Sequence, residues 1–130
     1  MNNCHCGNEK SYTTCCEIIH NDITKALTAE MLMRSRYSAF CKANGEYLVL
    51  SQAKKYAPNT SEIEDIVAWA KSVTWVKLEV IEITNGLEND STGTVKFKAS
   101  YFDADGMGVI EENSLFEKEN GHWVYVTGIE

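Results

Sequence analysis

The sequence has little that would mark a membrane protein, a secreted protein or a disordered chain. Its 130 residues include a single proline, Pro58, which argues against disordered linkers. No segment approaches the roughly 18 consecutive apolar residues that a membrane-spanning helix needs. The N-terminus has neither a basic stretch nor an apolar stretch, so it does not resemble a signal peptide. We therefore expect a cytoplasmic protein.

The sequence also lacks the motifs of common catalytic sites. No phosphate-binding loop, nucleophile motif or His–Asp dyad is visible. The net charge of −7 argues against non-specific binding of nucleic acid. These absences favour a binding or structural role over an enzyme, although they leave the enzyme as an alternative.

What the sequence does contain is a group of cysteines near its start. Four of the five cysteines, Cys4, Cys6, Cys15 and Cys16, fall within thirteen residues. In the reducing cytosol, clustered thiols indicate metal or redox chemistry rather than disulfides. Four thiolates can close a tetrahedral shell around zinc, and such closed sites are structural. The spacing therefore predicts one structural Zn²⁺ held by these four residues.

Two alternatives to this site remain open at the level of sequence. The cysteines could be reduced thiols without a metal, or His5 or His20 could replace one thiolate, since three cysteines and one histidine also form structural zinc sites. Cys41 falls inside a predicted helix and is interpreted as a buried, inert thiol. Residues 1–24 contain few large apolar side chains, so we expect a zinc-dependent segment there, separate from a domain at residues 25–130.

The remaining sequence predicts an α+β domain. Three helical segments are predicted at residues 28–43, 46–56 and 61–72. Asn44-Gly45 would end the first helix, while Ser61 and Glu64 form a capping box that would begin the third. Alternating segments then predict strands at 74–84, 92–103, 108–119 and 122–128. Short turns between consecutive strands imply an antiparallel sheet of about four strands, curved, with the helices packed on one face.

Two longer motifs resemble known families. Residues 4–16, CHCGNEKSYTTCC, resemble the SEC-C motif, the zinc-binding tail also found on the SecA translocation ATPase. Residues 28–40, TAEMLMRSRYSAF, resemble the signature of the bacterial YchJ-like proteins, and residues 112–116 and 120–123 fit the same family. Three residues depart from these patterns. Asn8-Glu9 stands where Ser-Gly is usual, and Glu111 stands where a histidine is often found.

The resemblance implies a fold and a kind of site. A SEC-C motif would precede a cone-like domain of the nuclear-transport-factor-two-like (NTF2-like) class, in which the helices and a concave sheet enclose a pocket. It also implies that the four cysteines bind zinc and that the motif contacts protein partners. It brings no activity with it.

Arg36 occupies an unusual position in this scheme. On a helical wheel it lies in the middle of an apolar face, whereas Arg34 lies on the opposite, polar side. A guanidinium on a buried face needs a partner, because leaving it unpaired costs several kcal/mol. The YchJ-like signature favours Glu112 on the inward face of its strand, so we predict that Arg36 and Glu112 pair inside the cone. The predicted pocket residues are Arg36, Tyr37, Trp69, Tyr101, Glu112 and Ser114.

Three functions are compatible with these features. The first is a binding module, which contacts a protein partner through the zinc-binding motif at residues 4–16 or holds a small, anionic ligand in the cone. The alternative is a small enzyme of the hydrolase or isomerase kind, with Glu112 as a general base beside Arg36. The third is an assembly protein, a homodimer formed through the open sheet face, where Phe102 and Trp123 or Tyr125 would point outward.

Overall fold

The computed structural model describes residues 3–129, and Met1, Asn2 and Glu130 lie outside the described part. Its α-helices are α1 (Cys16–Asn21), α2 (Ala29–Cys41), α3 (Gly45–Leu50) and α4 (Thr60–Ser72). Its strands are β1 (Thr74–Asn85), β2 (Thr92–Asp103), β3 (Gly106–Glu119) and β4 (His122–Ile129). No helix within residues 3–129 is both long enough and apolar enough to cross a membrane.

The strands form one antiparallel sheet in the order β1-β2-β3-β4, which confirms the predicted α+β class. Each strand pairs with the next along the chain, because short turns connect them. At the β3–β4 turn, Asn120 and Gly121 both have positive φ values, 55° and 84°. This geometry suits the right-handed twist of a hairpin and is the reason for an Asn-Gly pair there.

The predicted helix at residues 28–43 corresponds to α2, which begins as predicted but ends differently. The side chain of Thr28 accepts a hydrogen bond from the backbone N–H of Met31, which fixes the start of α2. The helix ends at Cys41, and Ala43 rather than Gly45 takes the left-handed conformation, with φ of 53°. Asn44 is instead the N-cap of α3, where its side chain accepts from Tyr47 N at 3.1 Å. Asn44 thus caps the start of the second predicted helix, whereas we had assigned it only to the end of the first.

The other two predicted helices, which correspond to α3 and α4, also differ at their ends. Helix α3 stops at Leu50, because the chain then runs along the edge of the sheet beside Tyr125. Tyr125 donates from its N–H to Ser51 O, and Ala53 N donates to Tyr125 O, each at 2.8 Å. These bonds cover part of an edge strand that would otherwise be free to aggregate. The capping box of α4 is formed by Asn59 and Glu62, two residues before the predicted pair.

The main core lies between α2 and the concave face of the sheet. Trp123 is 1% exposed, and its Nε1 donates to Leu27 O at 3.2 Å. The prediction that Trp123 or Tyr125 points outward is therefore wrong, because both lie on the inner face, while Phe102 is 48% exposed. Ile19 and Ile23 from the N-terminal segment belong to this same core. The boundary between residues 24 and 25 thus remains a prediction.

Candidate metal centre and cone cavity

The four predicted cysteine ligands lie together at the N-terminus. The Sγ atoms of Cys4, Cys6, Cys15 and Cys16 are all within 4.8 Å of one another. The Sγ of Cys15 is 3.6 Å from that of Cys6 and 4.0 Å from that of Cys16. Zinc–sulfur bonds of about 2.3 Å in a tetrahedron place the sulfur atoms roughly 3.8 Å apart. The cluster therefore has the size and donor set of a tetrahedral site for a soft metal ion.

The local backbone brings these sulfur atoms together. Gly7 has φ of 96°, a conformation that other residues rarely adopt, and its N–H donates to Cys4 O at 3.2 Å. This turn reverses the chain directly after Cys6. A short 3₁₀ turn at Tyr12–Thr14 then leads into α1, which begins at Cys16. The two pairs of cysteines therefore face each other across two tight turns.

The thiols strongly affect each other's protonation. A hydrogen bond from the Cys16 thiol, against the opposing effect of burial, lowers the pKa of Cys6 to about 5. The same hydrogen bond raises the pKa of Cys16, and burial adds a smaller rise. Burial also raises the pKa of Cys15. The negative charge of nearby Cys6 adds to the rise at Cys15 and Cys16, because like charges in so small a space repel each other. A bound cation would remove this repulsion and allow all four thiolates to form.

Neighbouring polar groups support negatively charged sulfur. The side-chain amide of Asn8 donates to the Sγ of Cys15 at 3.4 Å, and the Ser38 hydroxyl lies 3.9 Å from the Sγ of Cys4. Such outer contacts orient metal ligands and increase metal affinity. Asn8, which departs from the usual Ser-Gly pattern, thus has a defined role here.

Arg34 connects the cysteine segment to α2. Its Nη1 donates to Cys6 O at 2.5 Å, and its Nε donates to Glu30 Oε2 at 2.8 Å. The helical wheel placed Arg34 on the polar side of α2, and these contacts show that this side is not simply a solvated surface. The polar side of α2 is instead the surface on which the N-terminal segment packs.

The two histidines near the cluster lie outside the group of four cysteines. His5 is exposed on the surface. The Nε2 of His20 is 2.8 Å from Ser35 O, so it carries the proton, and Nδ1 accepts from the Tyr12 hydroxyl at 2.7 Å. Burial lowers the pKa of His20, which favours this neutral form. Cys41 is also separate from the cluster, and burial raises the pKa of its thiol to about 12.

The second feature is a cavity between the helices and the concave sheet, which we call the cone cavity. Its volume is about 220 Å³. The residues that line it are Met33, Arg36, Tyr37, Phe40, Trp69, Trp75, Phe97, Ala99, Ile110, Glu112, Ser114, Phe116 and Tyr125. They include five of the six predicted pocket residues.

The exception is Tyr101, which does not line the cavity. Its ring lies over Gly108 on β3, where even a Cβ atom would come within 2.4 Å of the ring. It packs edge-on against Trp69 at 5.7 Å and lies 6.0 Å from Trp75, measured between ring centroids. Because Gly108 has no side chain, Tyr101 can lie flat there and pack against Trp69 and Trp75, which line the cavity.

Arg36 and Glu112 both line the cavity, but they do not form the predicted pair. Within residues 3–129, the ion pairs closer than 4.0 Å are Arg34–Glu30 and Lys77–Glu79. The Nη1 of Arg36 donates to Leu48 O at 2.9 Å and to Ser51 Oγ at 2.7 Å. Carbonyl groups in the last turn of a helix have no partner within it, and Arg36 supplies one for α3.

The charge of Arg36 is retained in this position. Burial lowers the pKa of its guanidinium to about 10, although nearby Tyr125, Tyr47 and Glu112 oppose that effect. The guanidinium lies over the ring of Tyr125, with Cζ 4.8 Å from the ring centroid. This cation–π contact provides part of the stabilisation that we predicted from a carboxylate.

Glu112 is held by its own neighbours on the sheet. The hydroxyl of Ser114 donates to its Oε2, and the hydroxyl of Tyr125 donates to the same oxygen at 3.2 Å. Gly128 on β4 leaves room for the carboxylate, since a Cβ atom there would lie 2.6 Å from Oε1. Sequence reasoning missed Tyr125, Gly128 and Ser51, because their roles depend on pairing between distant parts of the chain.

A four-stranded antiparallel sheet covered by helices, preceded by a cluster of four cysteines, defines the class of this protein. Residues 28–128 match the family model described as "YchJ, middle NTF2-like domain". The chain therefore belongs to the YchJ-like family. A UPF0225 protein of Corynebacterium glutamicum is 40% identical over 125 residues, covering 96% of this chain and 94% of that protein. A UPF0225 protein of Vibrio parahaemolyticus is 41% identical over 128 residues, covering 96% and 73%.

Two solved structures share the whole architecture. The solution structure of a SEC-C motif containing protein from Rhodopseudomonas palustris has a TM-score of 0.85 at 27% identity, and covers 98% of each chain. The crystal structure of a SEC-C motif containing protein from Psychrobacter arcticus has a TM-score of 0.81 at 27% identity, and covers 100% of this chain and 85% of that one.

Proposed function

We propose that this protein is a small-ligand-binding module whose N-terminal segment is held in place by a structural Zn²⁺. The observation that carries the proposal is the cavity of about 220 Å³, in which an aromatic wall faces two charged side chains, Arg36 and Glu112. Sites for small molecules typically combine an apolar wall with a few well-placed polar groups. The aromatic residues contribute affinity, and the charged ones would orient the ligand.

Zinc is the metal that this site suits best. Four cysteine sulfurs at tetrahedral spacing favour zinc over hard cations, which prefer oxygen ligands. A zinc ion bound by four thiolates has no open position for water, so it acts as a structural cross-link. The similarity to SEC-C motif proteins supports this assignment.

Purified protein is expected to contain one zinc per chain by elemental analysis. Cys15→Ser should lose most of the metal, because three thiolates cannot close the shell. Cys41→Ser provides the matched control, since it removes a thiol outside the cluster and should keep the full equivalent. Less than half an equivalent in the unsubstituted protein, together with unchanged order after chelation, would contradict the zinc proposal.

Ligand binding to the cone cavity can be followed through the tryptophans by NMR. Trp69 and Trp75 line the cavity, whereas Trp123 is buried elsewhere in the core. In a screen of small aromatic and aliphatic compounds, the indole N–H signals of the first two should shift on binding while that of Trp123 stays in place. A screen in which no compound moves the cavity signals would count against the binding module.

The enzyme alternative has less support. A hydrolase or isomerase would need Glu112 to take a proton from its substrate, but this carboxylate already accepts hydrogen bonds from Ser114 and Tyr125. Among the described residues that line the cavity there is no histidine or cysteine to act with it.

A protein partner for the N-terminal segment is favoured by one observation, the exposure of Ile18 on α1, which is 46% exposed.

A further inference from the structure

The polar end of the cone cavity places two opposite charges against one aromatic ring. The guanidinium of Arg36 lies over the face of the Tyr125 ring, and Glu112 accepts a hydrogen bond from the hydroxyl of that ring. The ring therefore keeps the two charged groups apart while both face the same cavity. A ligand at this end would contact a cation and an anion at once.

Each of the two groups has hydrogen-bonding capacity left over. The two N–H bonds on Nη1 of Arg36 are used by Leu48 O and Ser51 Oγ. Within residues 3–129 its Nε and Nη2 have no hydrogen-bond partner, and because no fully buried side-chain nitrogen or oxygen there is left unpaired, both atoms are at least partly exposed. Oε1 of Glu112 accepts only a long contact of 3.5 Å from Tyr125. Arg36 therefore has donors, and Glu112 an acceptor oxygen, that the protein itself does not fully use.

The charges determine which ligands are favoured. Arg36 and Glu112 are the charged residues among those described as lining the cavity, so their charges cancel. An anion would be attracted by Arg36 but repelled by Glu112, and a cation would meet the reverse situation. Because burying a net charge in an apolar site is costly, an uncharged group with both an acceptor and a donor is favoured.

The rest of the cavity restricts the ligand's shape and size. Trp69, Trp75 and Phe97 provide aromatic surface, which favours a flat, unsaturated ring. A volume of about 220 Å³ has room for on the order of ten non-hydrogen atoms, given that one water molecule in the liquid occupies about 30 Å³.

We infer that the cone cavity selects small, uncharged aromatic compounds that carry an amide, and discriminates against the corresponding carboxylates. The amide oxygen would accept from Arg36, and the amide N–H would donate to Glu112. This inference rests on the proposed ligand-binding function and replaces the anionic ligand expected from the sequence with a neutral one, because Glu112 shares the cavity with Arg36.

Benzamide and benzoate test this inference, since they share one ring and differ only in the amide and the carboxylate. Titration of the full-length, zinc-loaded protein near neutral pH, followed through the Trp69 and Trp75 indole signals, should show benzamide binding about tenfold more tightly, the equivalent of one charge-assisted hydrogen bond. Glu112→Gln should abolish this preference by improving benzoate binding about tenfold, because the repelling charge is gone.

Glu111→Gln is the matched control, because it removes the same charge from the neighbouring exposed position. It should leave the preference unchanged. Tighter binding of benzoate to the unsubstituted protein, or an unchanged preference in Glu112→Gln, would overturn the inference while the cavity remained a ligand site. If neither compound moves the cavity signals although other screened compounds do, the inference fails alone. If no compound moves them, the proposed binding function fails as well.

Discussion

Replacing Arg36 by methionine should destabilise the folded protein by about 3 kcal/mol, which corresponds to a fall in melting temperature of roughly 10 °C for a chain of this size. The substitution removes the donor to Leu48 O in the last turn of α3 and to Ser51 Oγ. It also leaves Glu112 without a positive charge in the same cavity. Urea unfolding, followed by circular dichroism, measures the loss.

Arg36→Lys is the informative companion to this variant. Lysine keeps the positive charge near Glu112 but lacks the planar fork that reaches two acceptors, so about half of the loss should be recovered. A methionine variant as stable as the unsubstituted protein would contradict the structural role. Buried charges can be replaced by apolar residues without loss of stability, and that result would mean that Arg36 is kept for the ligand alone.

The sheet was predictable from the sequence because its signals are local. The alternating pattern and the short turns between strands placed all four strands within two residues of their observed ends. The helix ends were less predictable because several capping residues competed. Asn59 and Ser61 each precede a glutamate by three residues, and the structure uses Asn59. Pattern alone does not distinguish two overlapping capping boxes.

The candidate sites show the same contrast. The cysteine cluster was visible because four ligands of one type lie close together in sequence. The helical period correctly placed Arg36 towards the cavity, but not its partners, because they depend on how α3 ends and on the edge contact with Tyr125. The period also assigned Arg34 to the polar side of the helix, but it contains no information about the segment that packs there.

Removing the metal should unfold the cysteine segment while the cone remains folded. Zinc binding contributes about 10–16 kcal/mol to the folding of isolated zinc-binding peptides. Besides the metal, residues 3–15 are held by polar contacts such as those of Cys6 O with Arg34 and of Tyr12 with His20, because the local apolar cluster consists only of the cysteines and Tyr12. After chelation, the amides of Gly7 and Cys15 should lose at least about 100-fold of their protection from hydrogen exchange. The amide of Ala29, which donates to Gly86 O at 2.9 Å, should keep its protection.

Arg34→Met tests how α2 supports the metal site. Because Arg34 donates to Cys6 O beside the cluster, the variant should lose zinc to a competing chelator about tenfold more readily. Lys77→Met, which breaks an exposed ion pair on β1, is the control and should retain zinc like the unsubstituted protein. Equal zinc affinity in all three proteins would show that the contact with Arg34 does not support the metal site.

Hydrogen exchange after removal of the metal also decides where the cysteine segment ends. Ile19 and Ile23 are buried in the main core, so α1 and the turn after it have a source of order besides the metal. We expect the amides of Asp22 and Ala26, which donate to carbonyls within this stretch, to keep most of their protection after chelation. Loss of protection at these two amides together with Gly7 would instead support an independent unit at residues 1–24. Full protection at Gly7 and Cys15 without metal would contradict the prediction, because the segment would then be held by protein contacts alone.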